Sequence, residues 1–299
     1  MFKILEAEVL ADKTYKMVVE APNVAHACEP GQFLIVRSEE ESERIALTIC
    51  DYDRAKNTVT IVFQTIGESS YKIAEKKAGD SFADVVGPLG NPAEYVTEPL
   101  EEVRKRHYLL VAGGLGTAPV YPQAKWLKEH GVDVDVIIGT KSRDTLIMEK
   151  EMTEAVGEEH VFVTTDDGSY KRHGMVTTVI EDLVKNEGRK YDKCVAIGPM
   201  IMMKFCVKLT KELGIPTIVS MNPIMVDGTG MCGACRLVVG DEVKFACVDG
   251  PEFDGFKVDF DGAMKRMKLY KTEEGRRLLE YLEGDTHKGK ECGGADHGH

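Results

Sequence analysis

The sequence predicts a β-barrel domain, then an α/β doubly wound parallel-sheet domain, and then a small unit stapled by a metal. Three observations predict this order. Short segments with alternating apolar residues come first, strand-loop-helix repeats follow, and a stretch rich in Gly, Cys and Asp comes after them. Alternation with a period of two is typical of half-buried strands, whereas strands that alternate with helices indicate a parallel sheet.

The barrel is expected over residues 1–98. Its strands include FLIVRS, IALTICDYD and TVTIVFQTI, and turn-rich pieces such as EPGQ and DRAKN separate them. One helix-like insert, SSYKIAEKKAGD, interrupts the strands and ends at Gly79. The charged stretch YVTEPLEEVRKR then has the composition of a linker.

The parallel sheet is expected over residues 99–222, on the strands YLLVAGG, VDVIIGT, HVFVTT, KCVAIGP and PTIVSMN. Ligands of such sheets bind outside the carboxyl ends of the strands, where the strand-to-helix loops gather. Residues 223–261 form the third unit, which is too small for a core of its own and needs a metal to hold it. A basic helical segment, 262–285, and a disordered tail, 286–299, complete the prediction.

Composition excludes two classes of partner. The chain has 299 residues, 43% of them apolar, and a formal net charge of −12, so phosphate backbones would be repelled and nucleic acid is not expected. No apolar run approaches the roughly 18 to 20 residues of a membrane span, and Lys3, Glu6 and Glu8 interrupt any signal core, so a cytoplasmic protein without a membrane contact is expected.

A glycine-rich loop marks the first strand of the parallel sheet. Gly113, Gly114 and Gly116 stand between strand and helix, where backbone N–H groups can approach a pyrophosphate at the positive end of the helix. Pro119 occupies the place of the third glycine of the dinucleotide fingerprint. After the second strand, Lys141 and Arg143 replace the usual ribose-binding acid, which favours either NADP or simply a solvated loop.

The third unit carries an incomplete cysteine pattern, Asp227-x4-Cys232-x2-Cys235-x11-Cys247. Plant-type 2Fe-2S ferredoxins use C-x4-C-x2-C and a distant fourth Cys, so the aspartate stands where the first cysteine would be. A carboxylate can ligate iron, and we interpret the site as complete, with Asp227, Cys232, Cys235 and Cys247 as metal ligands. Two alternatives remain: a zinc knuckle with the same four ligands, and a turn in which Asp227 only caps backbone N–H groups.

Seven motifs in fixed order carry a family resemblance. They are PGQF, RIALTI, GPLGNP, GGLGTAP, TDDGS, GPMIMM and the cysteine segment. Together they resemble the ferredoxin-reductase superfamily over roughly residues 1 to 260. Within it, the chain is similar to the electron-transfer subunits of dihydroorotate dehydrogenase and to the small subunit of the electron-bifurcating NADH-dependent ferredoxin:NADP oxidoreductase. The aspartate ligand resembles the second group, because the first resembles the four-cysteine pattern.

The resemblance implies three cofactors: FAD on the barrel, NAD(H) on the parallel sheet and a 2Fe-2S cluster in the third unit. The implied flavin residues are Arg44, Leu47, Thr48, Ile49, Thr65, Gly67, Ser69 and Ser70. The implied nicotinamide residues are Gly114, Gly116, Thr117, Ala118, Pro119, Arg143, Asp166, Asp167, Gly168, Gly198, Pro199 and Met200. No catalytic proton donor is expected, because hydride transfer needs only that the nicotinamide stack on the flavin.

The implied function is that of an oxidoreductase subunit that passes electrons between NAD(H), FAD and the cluster in a heteromeric complex. Its partner would be a larger redox subunit, with ferredoxin and NADP(H) as the ultimate substrates, and NAD(H) is preferred over NADP(H) on the family likeness. The alternatives are an electron-transfer subunit of dihydroorotate dehydrogenase and a non-catalytic, zinc-stapled redox sensor. The surface around Cys232, Cys235 and the following basic segment is the expected docking face.

Overall fold

The computed structural model describes residues 1–283. Its N-terminal part is an antiparallel sheet of seven strands, in the order β6-β1-β2-β5-β4-β3-β7. The elements are β1 (Phe2–Ala11), β2 (Thr14–Glu20), α1 (Pro22–Ala27), β3 (Phe33–Arg37), β4 (Arg44–Asp53), β5 (Thr58–Gln64), α2 (Glu68–Ala74), β6 (Ser81–Phe82) and β7 (Asp84–Leu89). Only Ala83 separates the two edge strands along the chain, so the sheet is nearly closed and the predicted antiparallel barrel is confirmed.

Alternation of side chains builds the barrel core. Met17 and Val19 on β2 are buried, whereas Lys16 and Val18 between and beside them are only partly covered. This period of two is the strand pattern that the sequence predicts. Helix α2 is the predicted insert, although it ends at Ala74, before the Gly79 that the sequence indicated.

The predicted linker has structure of its own. It forms two short helices, α3 (Glu94–Thr97) and α4 (Leu100–Val103). Tyr95 and Val103 are buried in the same apolar cluster as Tyr108, while the charged residues of the stretch face outward and include the ion pair of Arg106 with Glu98 at 2.5 Å. The stretch is therefore packed against the next domain, because its few apolar residues fall on one side.

The second part is an α/β sheet. Its elements are β8 (His107–Gly113), a 3-10 turn (Gly114–Gly116), α5 (Thr117–Glu129), β9 (Asp133–Thr140), a 3-10 turn (Arg143–Thr145), α6 (Glu149–Val156), a 3-10 turn (Glu158–His160), β10 (Val161–Thr165), β11 (Arg172–His173), α7 (Val176–Glu181) with a π-helical extension (Asp182–Asn186), β12 (Lys193–Ile197), α8 (Met200–Glu212) and β13 (Thr217–Ser220). The five predicted strands are present and parallel to one another.

The remaining elements are β14 (Arg236–Val239), β15 (Glu242–Phe245), β16 (Glu252–Asp254), α9 (Phe260–Arg266) and α10 (Lys271–Glu283). The order of the α/β sheet is β11-β10-β9-β8-β12-β13-β16. Strands β9 to β11 lie on one side of β8, and β12 and β13 lie on its other side. Such a switch in strand order places a crevice at the carboxyl ends of β8 and β12. The expected binding edge is therefore formed by the loops after β8, β9, β10 and β12.

The cysteine-bearing stretch shares its core with the α/β sheet. Strand β16 pairs antiparallel with β13 and extends that sheet by one strand. Cys235, Leu237 and Cys247 are buried in the same cluster as Met203 and Phe260. The expectation that this stretch lacks a core of its own agrees with this packing.

A main-chain clamp joins the loop after β7 to the segment before β16. The N–H of Asn91 donates to the carbonyl of Gly250 at 2.7 Å, and the Asn91 side chain donates to the carbonyl of Val248 at 3.1 Å. Gly90 has φ +74°, and a Cβ there would lie 2.9 Å from Cδ of Pro251. A main-chain hydrogen bond and a side-chain hydrogen bond of Asn91 thus help to hold the cysteine-bearing stretch on the barrel.

The predicted C-terminal helical segment is two helices. Residues 267–270 separate α9 from α10, and Tyr270 has φ +68°. Helix α10 returns to the barrel, where the ring of Tyr281 lies 6.4 Å from that of Tyr71 on α2. The predicted tail, 286–299, and the last residues of the helical segment lie outside the described residues. Among the described helices, none has the length and apolar character that a membrane crossing requires.

Candidate functional site

The dinucleotide loop is packed so tightly against the loop after β12 that a side chain on Gly116 or Gly198 would force a shift. A Cβ on Gly116 would lie 2.1 Å from the carbonyl oxygen of Ile197, and a Cβ on Gly198 would lie 3.0 Å from Cα of Gly113. The loops after β8 and β12 therefore meet backbone to backbone. Gly114, at φ +53°, has open space in front of its Cα, which leaves room for a ligand.

Helix α5 begins in this loop. The hydroxyl of Thr117, which is fully buried, donates to the carbonyl of Gly114 at 2.9 Å and closes the turn. Pro119 is the third residue of the helix, a position whose N–H has no partner within the helix, so a proline is tolerated there. The positive end of α5 thus points at the open space beside Gly114.

The loops after β9 and β10 are joined to each other. Asp166 N–H donates to the carbonyl of Thr140 at 2.9 Å, and Asp167 N–H donates to that of Lys141 at 3.2 Å. The N–H of Arg143 donates to the hydroxyl of Ser169 at 2.9 Å. The predicted residues Arg143, Asp166, Asp167 and Gly168 consequently lie together at one edge of the sheet.

One cation and one carboxylate of these loops each have a local partner. The guanidinium of Arg143 lies over the ring of Tyr170, with 5.4 Å between its carbon and the ring centroid. The carboxylate of Asp167 accepts a hydrogen bond from Ser169, which lowers the pKa of Asp167. Tyr170 is a residue that the sequence reasoning missed; its signal is an aromatic side chain directly after TDDGS.

Pro199 and Met200 start α8 from the fourth loop, with Met200 buried.

The predicted flavin residues lie on β4 and before α2. Arg44 and Thr48 are half-buried on β4, Leu47 lies between them, and Ile49 is buried. The Arg44 guanidinium donates to the carbonyl of Asp227 at 3.3 Å, so β4 touches the cysteine-bearing stretch directly. The Nε of Arg44 and the buried hydroxyl of Thr65 have no hydrogen-bond partner within residues 1–283.

The turn before α2 is closed by its own side chains. The hydroxyl of Ser70 accepts from the N–H groups of Ile66 at 2.8 Å and Gly67 at 3.1 Å, and Ser69 donates to the carboxylate of Glu43. Ser70 therefore caps the helix, which is the structural role that the serines would have without the resemblance. Gly67, at the N-cap, has open space around it.

The cysteine-bearing loop is organised by Asp227. Its two carboxylate oxygens accept from the N–H groups of Thr229 at 2.6 Å and of Cys232 at 2.7 Å. The bond from Thr229 is the main reason that the pKa of Asp227 is lowered. Gly228 has φ +76°, and a Cβ there would lie 2.5 Å from Cδ1 of Ile35, so the loop also needs glycine to approach the barrel.

Two of the cysteines are free thiols that lie next to each other. The Cys235 thiol donates to Cys247 Sγ at 3.2 Å; both residues are buried, whereas Cys232 is exposed. Burial is the main reason that the pKa of Cys247 is raised to about 12, followed by the Cys235 thiol. Within the described residues, no three His, Cys, Asp or Glu side chains stand close enough to hold a metal as they lie.

The donor set still fits an iron-sulfur cluster. Thiols are the soft ligands that such clusters use, and two of them face each other under a loop of glycines. Each Asp227 oxygen has a second lone pair beyond the backbone bond that it accepts, so capping the loop and ligating a metal are compatible.

The comparisons with known proteins agree with this chemistry. Residues 222–259 match the model of the iron-sulfur cluster binding domain of dihydroorotate dehydrogenase B. The chain is 56% identical over 293 residues to an uncharacterized protein in the adh 3' region of Clostridium beijerinckii, with 98% of each chain covered. It is 43% identical over 272 residues to a dihydroorotate dehydrogenase B (NAD(+)) electron transfer subunit homolog of Thermotoga maritima, covering 91% of this chain and 92% of that protein.

A solved structure matches over nearly the whole chain. It comes from work on flavin-based electron bifurcation by the NADH-dependent reduced ferredoxin-NADP oxidoreductase. Its identity is 41% and its TM-score 0.84, with 94% of this chain and 98% of that chain covered. The chain therefore belongs to the family of dihydroorotate dehydrogenase B electron-transfer subunits and their homologues.

Proposed function

We propose that this chain is an electron-transfer flavoprotein subunit that passes electrons between NAD(H), FAD and a 2Fe-2S cluster in a ferredoxin:NADP oxidoreductase complex. The observation that supports it most is the contact of Arg44 with the Asp227 carbonyl. Through it, the strand with the implied flavin residues lies against the loop with the implied cluster ligands. A cytoplasmic location goes with this proposal.

The nicotinamide nucleotide is held at the carboxyl edge of the α/β sheet in this proposal. The loop around Gly114 and Gly116 and the start of α5 offer backbone N–H groups to its pyrophosphate. The loops that carry Arg143 and Asp166 border the ribose, and the loop at Pro199 lies at the same edge. These loops orient the nucleotide, and none of their side chains has to move a proton.

The flavin is held on the barrel by β4 and the turn before α2. Arg44 has five N–H donors, so its single bond to Asp227 leaves others for a phosphate oxygen. The Thr48 hydroxyl can donate to a ring or phosphate oxygen, and the buried Thr65 hydroxyl still needs a partner. FAD, when bound, supplies the exchange between two-electron and one-electron carriers.

Asp227, Cys232, Cys235 and Cys247 would hold the cluster. Around Cys232 the surface is apolar: Met231 is 89% exposed, Val226 52% and Val248 42%. Exposed apolar side chains in one area mark a contact surface, and we assign this face to the larger redox subunit.

A visible spectrum and a reduction experiment test the proposal. The purified chain should show flavin and iron-sulfur absorption, and stopped-flow mixing should show faster flavin reduction with NADH than with NADPH. The exposed carboxylates of Asp166 and Asp167 offset the charge of Lys141 and Arg143, so a 2'-phosphate gains little there. A colourless, zinc-containing protein would contradict the proposal and favour the redox sensor.

The second candidate is the electron-transfer subunit of dihydroorotate dehydrogenase, favoured by the match of residues 222–259. It shares the chemistry of this chain but has another partner. Purification of the untagged protein from native extract separates the two, because the copurifying subunit would oxidise either dihydroorotate or reduced ferredoxin.

A further inference from the structure

A polar contact between a buried amide and a half-buried glutamate joins α5 to β16. The amide nitrogen of Gln123, whose side chain is fully buried, donates to a carboxyl oxygen of Glu252 at 2.6 Å. The amide oxygen of Gln123 is also buried and receives no hydrogen bond within residues 1–283. An unpaired buried acceptor is costly, so a donor is expected beside it.

The charges around Glu252 do not stabilise an ionised carboxylate. On α3, Glu94 adds like charge, and Lys193 of β12 is already paired with Glu94 at 2.5 Å. Asp254 on β16 is bridged to Lys257 at 3.4 Å. The phenol of Tyr95 on α3 also lies near Glu252. Lys125 of α5 is paired with Asp51, and strand β13 has no titratable group.

Burial and Glu94 therefore shift the titration of Glu252. Burial of its carboxyl group is the main reason that the pKa of Glu252 is raised to about 7, and the bond from Gln123 offsets only part of this effect. Among the carboxyl groups of the described residues, those with a resolved shift otherwise have lowered pKa values.

A proton on Glu252 would give the unpaired side-chain oxygen of Gln123 a hydrogen-bond donor. A carboxylic acid has one O–H donor besides its carbonyl oxygen, so it can accept from the Gln123 nitrogen and donate to the Gln123 oxygen. Donation of that O–H to the Gln123 oxygen would close an acid–amide pair with two hydrogen bonds. An ionised carboxylate is an acceptor only, and it would leave the Gln123 oxygen unpaired and a charge buried.

We infer that Glu252 is a proton-binding site that fastens α5 to β16. With the proton bound, the helix that starts at the dinucleotide loop is tied by two bonds to the strand that follows Cys247. Loss of the proton removes one bond and leaves a charge at the junction. The hydrogen bonding between α5 and β16 thereby changes with the protonation of Glu252.

The sign of the pH dependence follows from the raised pKa. Between the unfolded value of about 4.5 and the folded value, the folded chain holds a proton that the unfolded chain releases. The stabilisation by this proton is complete below the unfolded pKa and is lost as pH rises through the folded pKa. The folding equilibrium constant should fall by up to about tenfold per pH unit in this window and level off above it.

Infrared spectroscopy of the full chain tests the protonation directly. The wild type should show the carbonyl band of a protonated carboxylic acid at about pH 6 and lose it by about pH 9. Glu252→Gln should lack this band at both pH values. Glu242→Gln, which removes an exposed carboxyl on β15 that bonds Lys244, should keep it and serves as the control. Absence of an acid band from the wild type at about pH 6 would overturn the inference, even if the variant failed to fold.

Urea unfolding tests the effect on the junction. Glu252→Gln mimics the neutral acid in shape and charge, so its stability should decline less steeply than that of the wild type between about pH 5 and about pH 7, while the contribution of His107 stays in both. Gln123→Met, which removes both partner atoms, should keep the acid band but shift it to higher frequency. Equal pH slopes of the wild type and Glu252→Gln would show that no such proton is bound.

Discussion

At the scale of single residues, Asp227 has two roles that one substitution series can separate. Its carboxylate holds two backbone N–H groups of the loop, and it stands where a cluster ligand is expected. The first role needs an acceptor oxygen, whereas the second needs a group that binds iron. Asn keeps one of the two acceptor oxygens and is a poor iron ligand, whereas Cys is a good iron ligand and lacks both oxygens.

We expect Asp227→Cys to retain a 2Fe-2S cluster with a shifted potential, and Asp227→Asn and Asp227→Ala to make it labile. Thiolate is a proper iron ligand, and a neutral amide is a poor one. Iron content, visible absorption and cluster loss over time would measure this. If Asn preserved the cluster better than Cys did, Asp227 would be only a loop cap.

The sequence is most informative at positions where a residue type has one structural use. Gly116 and Gly198 were expected in the nucleotide loops, and both stand where a side chain would collide with backbone. Ser70 has two uses, and its hydroxyl closes the turn before α2. Tyr170 and Glu252 were missed, because their positions depend on which loops and strands become neighbours.

At the scale of elements, the junction between the β8 loop and the β12 loop depends on glycine. A methyl group on Gly116 would meet the carbonyl oxygen of Ile197 at 2.1 Å, while one on Gly114 would meet nothing within 4 Å. Backbone cannot move away as a flexible side chain can, so the two positions should respond differently to the same change.

Gly116→Ala should therefore lower stability by several kcal/mol and weaken NADH binding, an overpacking effect above the usual ~1–3 kcal/mol. Gly114→Ala should lower it by only ~1–2 kcal/mol, the cost of a left-handed conformation for alanine. Thermal unfolding and nucleotide titration would measure both. Similar losses for the two variants would mean that the loop relaxes around Gly116.

Near the amino ends of the strands of the α/β sheet, one buried carboxylate binds several side chains. Asp135 on β9 is fully buried and accepts from Arg189 at 2.8 Å, Tyr191 at 2.7 Å and His160 at 2.8 Å, with His107 at 3.3 Å. Burial alone would raise the pKa of Asp135, but these donors outweigh it and lower the pKa. The nearby Asp135 carboxylate is also the main reason that the pKa of His107 is raised.

Asp135→Asn should cost about 3–5 kcal/mol, because it leaves buried donors and a cation without their charge partner. The contribution of His107 should be complete below its unfolded pKa of about 6.5 and be lost as pH rises through the raised folded value. Asp135 acts oppositely, with a contribution that is lost on acidification below about 3.8. Urea unfolding of wild type and His107→Gln should differ most below about pH 6.5, and parallel curves would exclude this linkage.

Secondary-structure elements were predicted correctly where the sequence has a continuous apolar run. The five parallel strands are apolar runs between loops, and all five are present. Helices α3 and α4 were missed because their charges outnumber their buried residues, Tyr95 and Val103. Strand β16 has three residues, too few for a periodic pattern, and only its pairing with β13 defines it.

At the scale of the whole molecule, the basic segment predicted as part of the docking face also contacts the cysteine loop. Arg266 donates to the carbonyl of Ala234 at 3.2 Å and so supports that loop. Lys265 and Lys268 are exposed and can steer an acidic surface. The apolar side chains around Cys232 supply the contact itself.

Lys265→Glu together with Lys268→Glu should slow association with the larger subunit by about tenfold at low salt and weaken its salt dependence. NADH reduction of the flavin should not change. Lys128→Glu with Lys150→Glu makes the same charge change on α5 and α6 and is the control. Stopped-flow association measures the rates; an equal effect of both pairs would point to net charge and not to a docking face.

The clamp between Asn91 and Gly250 has a consequence for how this chain can vary. Its central bond uses only main-chain atoms. The surrounding side chains can therefore differ among relatives while residues 222–259 keep their position on the barrel. A relative's segment grafted at these bounds should dock in the same register, provided that Gly90 and the Gly250–Pro251 pair are retained. Residues 222–259 can thus be exchanged as a unit, and variants of the cluster ligands can be compared on the same barrel and α/β sheet.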